Sequence, residues 1–232
     1  MTRRLAGALA VLLLLFAAGM ARAQEVDVEL VFAVDGSGSI DEAEFALQRQ
    51  GYAEAITDPK VIRVIQAGAI GRIAVALMEW GAAESQHTIV DWMVIHDAAS
   101  AHAFAERVLR APRAAWGYNS ISGAIDHSRR LIETNGFEGL RKVIDVSADG
   151  GHYGGRPVRQ ARDEAVAAGI TINGLVIMTP HGGLRYRGMP LDEHFEQDVI
   201  GGAGAFVMTV ESRAKIATTL LAKLIREIAA TP

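Results

Sequence analysis

From Gln24 onward the chain alternates short apolar runs with segments of helical period, and this alternation restricts its possible folds more than any other feature. Residues 24–34 pass from alternating to continuously apolar, as a strand entering a buried sheet does. Asp41 with Glu44 three positions on fits a capping box, opening an amphipathic helix that runs to about Thr57 and stops at Asp58-Pro59. Strands are predicted at 71–80, 88–95, 141–151, 169–178 and 204–210. Helices are predicted at 98–109, 120–133, 156–168, 191–200 and 213–229. Strands that alternate with helices along the whole chain call for an α/β, doubly wound, mainly parallel central sheet with helices on both faces. No repeat or interdomain linker interrupts the pattern, so residues 24–232 read as one domain. The longest irregular segment is 179–190, "TPHGGLRYRGMP", which includes Arg185 and Arg187.

The first 23 residues follow a different rule. Arg3 and Arg4 precede an apolar core from Leu5 to Ala18, and Ala21-Arg22-Ala23 closes it. That order is expected of a secretory signal peptide cleaved before Gln24, and the core is shorter than the ~20 residues that span a bilayer. Removing it takes away three arginines and leaves 20 basic residues against 27 acidic, a formal charge of −7. An acidic chain without a basic cluster is not expected to bind nucleic acid. There are no cysteines, so an exported form relies on its core rather than on disulfides or thiolate ligands. No later segment is apolar enough to span a membrane, and a periplasmic or secreted location is expected.

In open α/β sheets the binding crevice lies beyond the carboxyl ends of the strands. Two polar turns stand at such ends, Asp35-Gly36-Ser37-Gly38-Ser39 and Ser147 to Gly151, and "GYNSIS" (117–122) precedes a helix that can reach the same rim. The first turn is not a phosphate loop, because no Gly-Lys pair exists in the chain. Neither Ser37 nor Ser39 has the glycine two residues earlier that a nucleophile elbow requires. A solvated turn and a metal site remain. The metal alternative explains the combination: alternate residues Asp35, Ser37 and Ser39 project to one side, Asp149 adds a second carboxylate, and Asn119 or Ser120 adds a neutral oxygen. Such oxygen donors suit Mg2+, which keeps several waters.

These residues resemble the von Willebrand factor type A domain. Asp35, Ser37 and Ser39 match the D-x-S-x-S of its metal-ion-dependent adhesion site. Residues 117–124 match its threonine loop, with Asn119 at the threonine position, and Ala148-Asp149-Gly150 matches its T-D-G. Met78-Glu79-Trp80-Gly81, "SISGAID" (120–126), "VIDVSADG" (143–150) and "VIGGAGAFV" (199–207) resemble an exported bacterial subgroup of uncharacterised role. The resemblance implies a Rossmann-like sheet with an ion at its edge, held by Asp35, Ser37, Ser39, Asn119 or Ser120, and Asp149. The ion would be Mg2+, with Mn2+ or Ca2+ as alternatives, and a protein partner would supply an Asp or Glu. A metal-dependent hydrolase, calling on His152 or Asp145, is the competing expectation. A structural domain with a degenerate site is the third. Trp80, Trp92 and Trp116 read as core or loop anchors, with Trp116 the best candidate for the rim.

Overall fold

β1 (Gln24–Asp35) sits in the middle of the sheet because both of its faces are apolar: Val28, Leu30, Phe32 and Val34 point one way, Val31 and Ala33 the other. The structure is a computed structural model that describes residues 23–178 and 185–229. The signal peptide expected at 1–23 therefore falls, apart from Ala23, outside the described residues, as does 179–184 of the long loop. β1 pairs in parallel with β2 (Ile73–Trp80), so that Asp35 lies opposite Trp80. On its other side it pairs in parallel with β4 (Phe137–Ala148). The six strands run in the order β3-β2-β1-β4-β5-β8, with β3 (Gln86–Ile95), β5 (Ile170–Ile177) and β8 (Val207–Val210). Only the β2–β3 pair is antiparallel.

One face of the sheet is covered by α1 (Glu42–Thr57), α2 (Pro59–Gln66), α3 (Ala98–Arg110) and α7 (Ile216–Ala229). The other carries α4 (Ile121–Glu133) and α5 (Val158–Ala167). This is the expected doubly wound α/β architecture, Rossmann-like and mainly parallel. Burying apolar side chains on both faces of the sheet supplies the main drive to form it. Among the described residues no helix is long and apolar enough to cross a membrane.

Local details depart from expectation. Pro59 does not end the helical region. It opens α2, whose cap Asp58 accepts from the Lys60 amide at 2.7 Å, because proline is well tolerated in the first helical turn. Asp41 caps α1 through the Glu44 amide at 2.8 Å, but the Glu44 carboxylate turns inward to Arg213 rather than back to the cap. The segment 191–200 divides into α6 (Leu191–His194) and a π-helical turn, Phe195–Val199. The last strand is short, because Gly202 and Gly204 adopt positive φ just before it. The described part of the long loop forms a small hairpin of β6 (Arg185–Tyr186) and β7 (Met189–Pro190).

Candidate metal centre

β1 ends at Asp35 and β4 ends one residue before Asp149, so neighbouring parallel strands deliver both carboxylates to one edge of the sheet. Asp35, Ser37 and Asp149 are fully buried, Asn119 nearly so, and Ser39 is half-buried. The Ser37 amide donates to Asp35 Oδ1 at 2.8 Å, closing the turn on itself. Ser39 Oγ donates to Asp149 Oδ1 at 2.7 Å. Its proton being so engaged, the 3.0 Å contact between the two hydroxyls has Ser37 as donor to Ser39. Asn119 Nδ2 donates to Asp35 Oδ2 at 3.1 Å from the third loop. Five of the six expected residues thus meet in one hydrogen-bonded group.

Ser120 is not part of it. Its hydroxyl accepts from the Gly123 amide at 3.3 Å as the cap of α4 and donates to Gly154 O at 2.9 Å. Asn119 therefore stands as the third-loop member of the group, at the position that the family resemblance gives to threonine. Gly150 lies over the Asn119 amide, where a Cβ would come within 3.1 Å of Nδ2.

The electrostatics follow from burying two carboxylates side by side. Burial, and then the charge of Asp149, push the Asp35 carboxyl up to about 8. Burial also raises Asp149, whose Oδ2 is buried without a hydrogen-bond partner among the described residues. Two hydroxyls beside two carboxylates, one of them with an orphaned oxygen, suit a hard dication, and the Asn119 amide carries an oxygen that a half-turn would bring to the same side. Among the described residues no group of three or more His, Cys, Asp or Glu is arranged to hold a metal ion, and the cluster at this edge has two acids, Asp35 and Asp149.

Sequence reasoning missed the parts that hold this loop. Arg113 Nη2 donates to three carbonyls of the Asp35 turn, Gly36 O at 3.0 Å, Ser37 O at 2.7 Å and Ile40 O at 2.9 Å, while Nη1 meets Glu42 at 3.0 Å. Glu79, at the end of β2, receives Arg49 on Oε1 at 2.5 Å and the Ala114 amide on Oε2 at 2.8 Å, fixing the third loop. A lone charge in the apolar strand "IAVALMEW" was a readable sign of a buried, paired carboxylate. Nothing local marks Arg113.

The remaining candidates are engaged elsewhere. His152 Nε2 meets Arg156 O at 3.0 Å, and burial holds its pKa below the usual histidine value. Asp145 faces the middle of α7, where it pairs with the buried Lys223 at 2.5 Å, and Lys223 also bonds Glu227. Burial, and next Glu227, push the Asp145 carboxyl up to about 7 against the pull of Lys223. Trp80 is a core residue that donates to Ala33 O, and Trp92 donates to Leu131 O. Trp116 is 54% exposed, next to Tyr118 at 83%, so the rim beside Asn119 is aromatic. Arg185 donates to Gly188 O within its hairpin.

The fold has relatives among solved structures. Proximal thread matrix protein 1 from the mussel byssus superposes with a TM-score of 0.65 at 15% identity, over 89% of this chain and 49% of that one. A second structure of that protein, described as having a zinc-occupied MIDAS motif, superposes at 0.62 with 14% identity, over 89% of this chain and 46% of that one. A von Willebrand factor type A protein from Catenulispora acidiphila does so at 0.58 with 16% identity, over 88% of this chain and 43% of that one. The chain thus spans about half the length of these three solved chains. No curated protein matches its sequence. The family model described as "Protein of unknown function (DUF1194)" matches residues 25–232, so the chain, with its von Willebrand factor type A fold, belongs to the DUF1194 family.

Proposed function

We propose that residues 24–232 form a single exported binding domain that holds a Mg2+-type ion at Asp35, Ser37, Ser39, Asn119 and Asp149 and uses it to dock a carboxylate of a protein partner. The observation that carries this reading is the convergence of Ser37, Ser39 and Asn119 on the two buried carboxyl groups of Asp35 and Asp149. Unpaired, such a pair of acids is costly, and a dication offsets that cost. Asn119 would turn its amide oxygen, in place of its Nδ2, toward the ion. Bound there, the ion supplies a position for an oxygen ligand from outside the chain. The mussel protein with a zinc-occupied motif of the same kind supports a divalent ion on this fold.

Binding fits better than turnover because neither residue that hydrolysis would call on is poised at the cluster. His152 is held by Arg156 O and Asp145 by Lys223. Calorimetry with Mg2+, Mn2+ and Ca2+ on residues 24–232 tests the ion, with Asp35→Ala and Asp149→Ala as controls. Absence of binding by the unmodified domain would sink the reading, and unchanged binding by both variants would move the ion elsewhere. Pull-down from the native envelope with and without chelator tests the partner, which should be retained only with metal.

A further inference from the structure

We infer that the hollow beside the ion centre is a second docking point, an anion subsite that takes another carboxylate of the same protein partner. This inference rests on the proposed ion-dependent docking. The hollow holds about 400 Å3 and is walled by the rings of Tyr153 and Tyr186, by His152 and His194, and by Arg159 and Arg187. It adjoins the ion centre directly. The Tyr153 amide donates to Asn119 O at 2.8 Å, and His152 follows Asp149 by three residues.

Its chemistry is a surplus of donors. The one acidic side chain in the wall, Asp198, has both oxygens in use, by Arg159 Nε at 2.5 Å and His194 Nδ1 at 2.7 Å. Arg156 is spent on Asp126 and Glu164. Among the described residues Arg159 engages only its Nε, which leaves its terminal amino groups without an acceptor there. Arg187 lies over the Tyr186 ring at 5.1 Å and has no hydrogen-bond acceptor among the described residues. The first turn of α5, also in the wall, has no side-chain cap. Guanidinium groups match carboxylates in shape and charge, and the volume leaves room for the chain that carries the acid. The rings of the wall pack on one another, Tyr186 tilted against His194 at 4.1 Å and Tyr153 edge-on to Tyr186 at 5.3 Å.

Two titrations test this. In the first, glutarate is added to residues 24–232 without metal, and the ring resonances of His152 and His194 are followed. Saturable shifts are expected in the unmodified domain, and an affinity at least about fivefold weaker in Arg187→Gln, whose native side chain lies over the Tyr186 ring and has no hydrogen-bond acceptor among the described residues. No shift, or equal shifts in the variant, overturns the subsite whatever the ion does. In the second, the Mg2+-loaded domain is titrated with Ac-Asp-(Gly)n-Glu-NH2, n from 1 to 4, and with the Gln counterparts. At one spacing or more the Glu peptide should bind about tenfold tighter, as one charge-assisted pair contributes, and Arg187→Gln should remove that advantage. Equal affinity at every spacing overturns the second docking point. Failure of Mg2+ itself to bind in calorimetry strikes the ion proposal instead, and the glutarate result then shows whether the hollow binds anions by itself.

Discussion

Arg113 should be as important to the ion centre as the residues that line it. One nitrogen of its guanidinium serves three carbonyls of the Asp35 turn, and Phe45 lies beneath the group at 5.2 Å. Truncation to alanine leaves those carbonyls to whatever water can reach them. The side chain is 22% exposed, so replacement by solvent is partial. Hydrogen bonds to a charged group contribute about 1.5–3 kcal/mol each, and three sharing one nitrogen do not add, so Arg113→Ala should cost roughly 2–4 kcal/mol. Urea unfolding of residues 24–232 without metal reads this directly, independently of any ion. Arg113→Lys keeps the charge but loses the planar fork, and should recover no more than about half the loss. Since the turn carries three of the five centre residues, Mg2+ affinity should fall in parallel. An Arg113→Ala domain within about 0.5 kcal/mol of the unmodified one, a change ordinary for the surface, would refute the claim that this arginine holds the turn.

Four further outcomes are expected. With the Asp35 carboxyl near 8, an ion entering below that pH must expel a proton, so affinity should weaken as pH falls, approaching tenfold per unit. Calorimetry in buffers of different ionisation enthalpy should count about one proton released per ion, and a flat affinity from pH 5 to 8 would contradict it. Without metal, Asp35 and Asp145 both titrate higher in the folded chain than in the unfolded one. The folded state then binds more protons between about pH 4 and 8, and stability should decline as pH rises through that window, as thermal melts would reveal. Lys223→Met leaves Asp145 and Glu227 buried without their cation and should cost about 3–5 kcal/mol, more at pH 8 than at pH 5, with Asp145→Asn restoring part of it. Gly151→Ala puts a Cβ 2.2 Å from the Tyr186 ring, so the hairpin must shift, at about 1–3 kcal/mol by denaturant unfolding.

The ends of β1 and β4 were legible because apolar runs stop sharply at Asp35 and before Asp149, and a strand's end is where this architecture opens to ligands. The spacing of Asp35, Ser37 and Ser39 then specified which side chains converge. What stayed hidden depends on partners far along the chain. Arg113 is 77 positions from the carbonyl of Gly36, and no periodicity encodes such a contact. Pro59 was ambiguous for a different reason, since the same residue that stops one helix is suited to start another. Ser120 looked like an oxygen donor for the ion, yet a serine directly before a helix has a competing local use as its cap, and the cap prevailed.

The same geometry explains how an asparagine can stand where the resemblance places a threonine. Without an ion, the Asp35 carboxylate needs a donor, and Asn119 Nδ2 provides one at 3.1 Å, which an alcohol could do only by giving up its single proton. The chain Ser37 to Ser39 to Asp149 serves the second acid in the same way. These bonds keep the donors assembled, so little order has to be created when a cation arrives, but they are also the bonds it must displace. For Asn119 that exchange is a half-turn of one amide, which swaps a proton donor for an oxygen without moving the backbone. On the proposed reading, affinity would be set by the difference between two hydrogen-bonding states of the same five side chains, with Arg113 and Glu79 holding the loops that carry them.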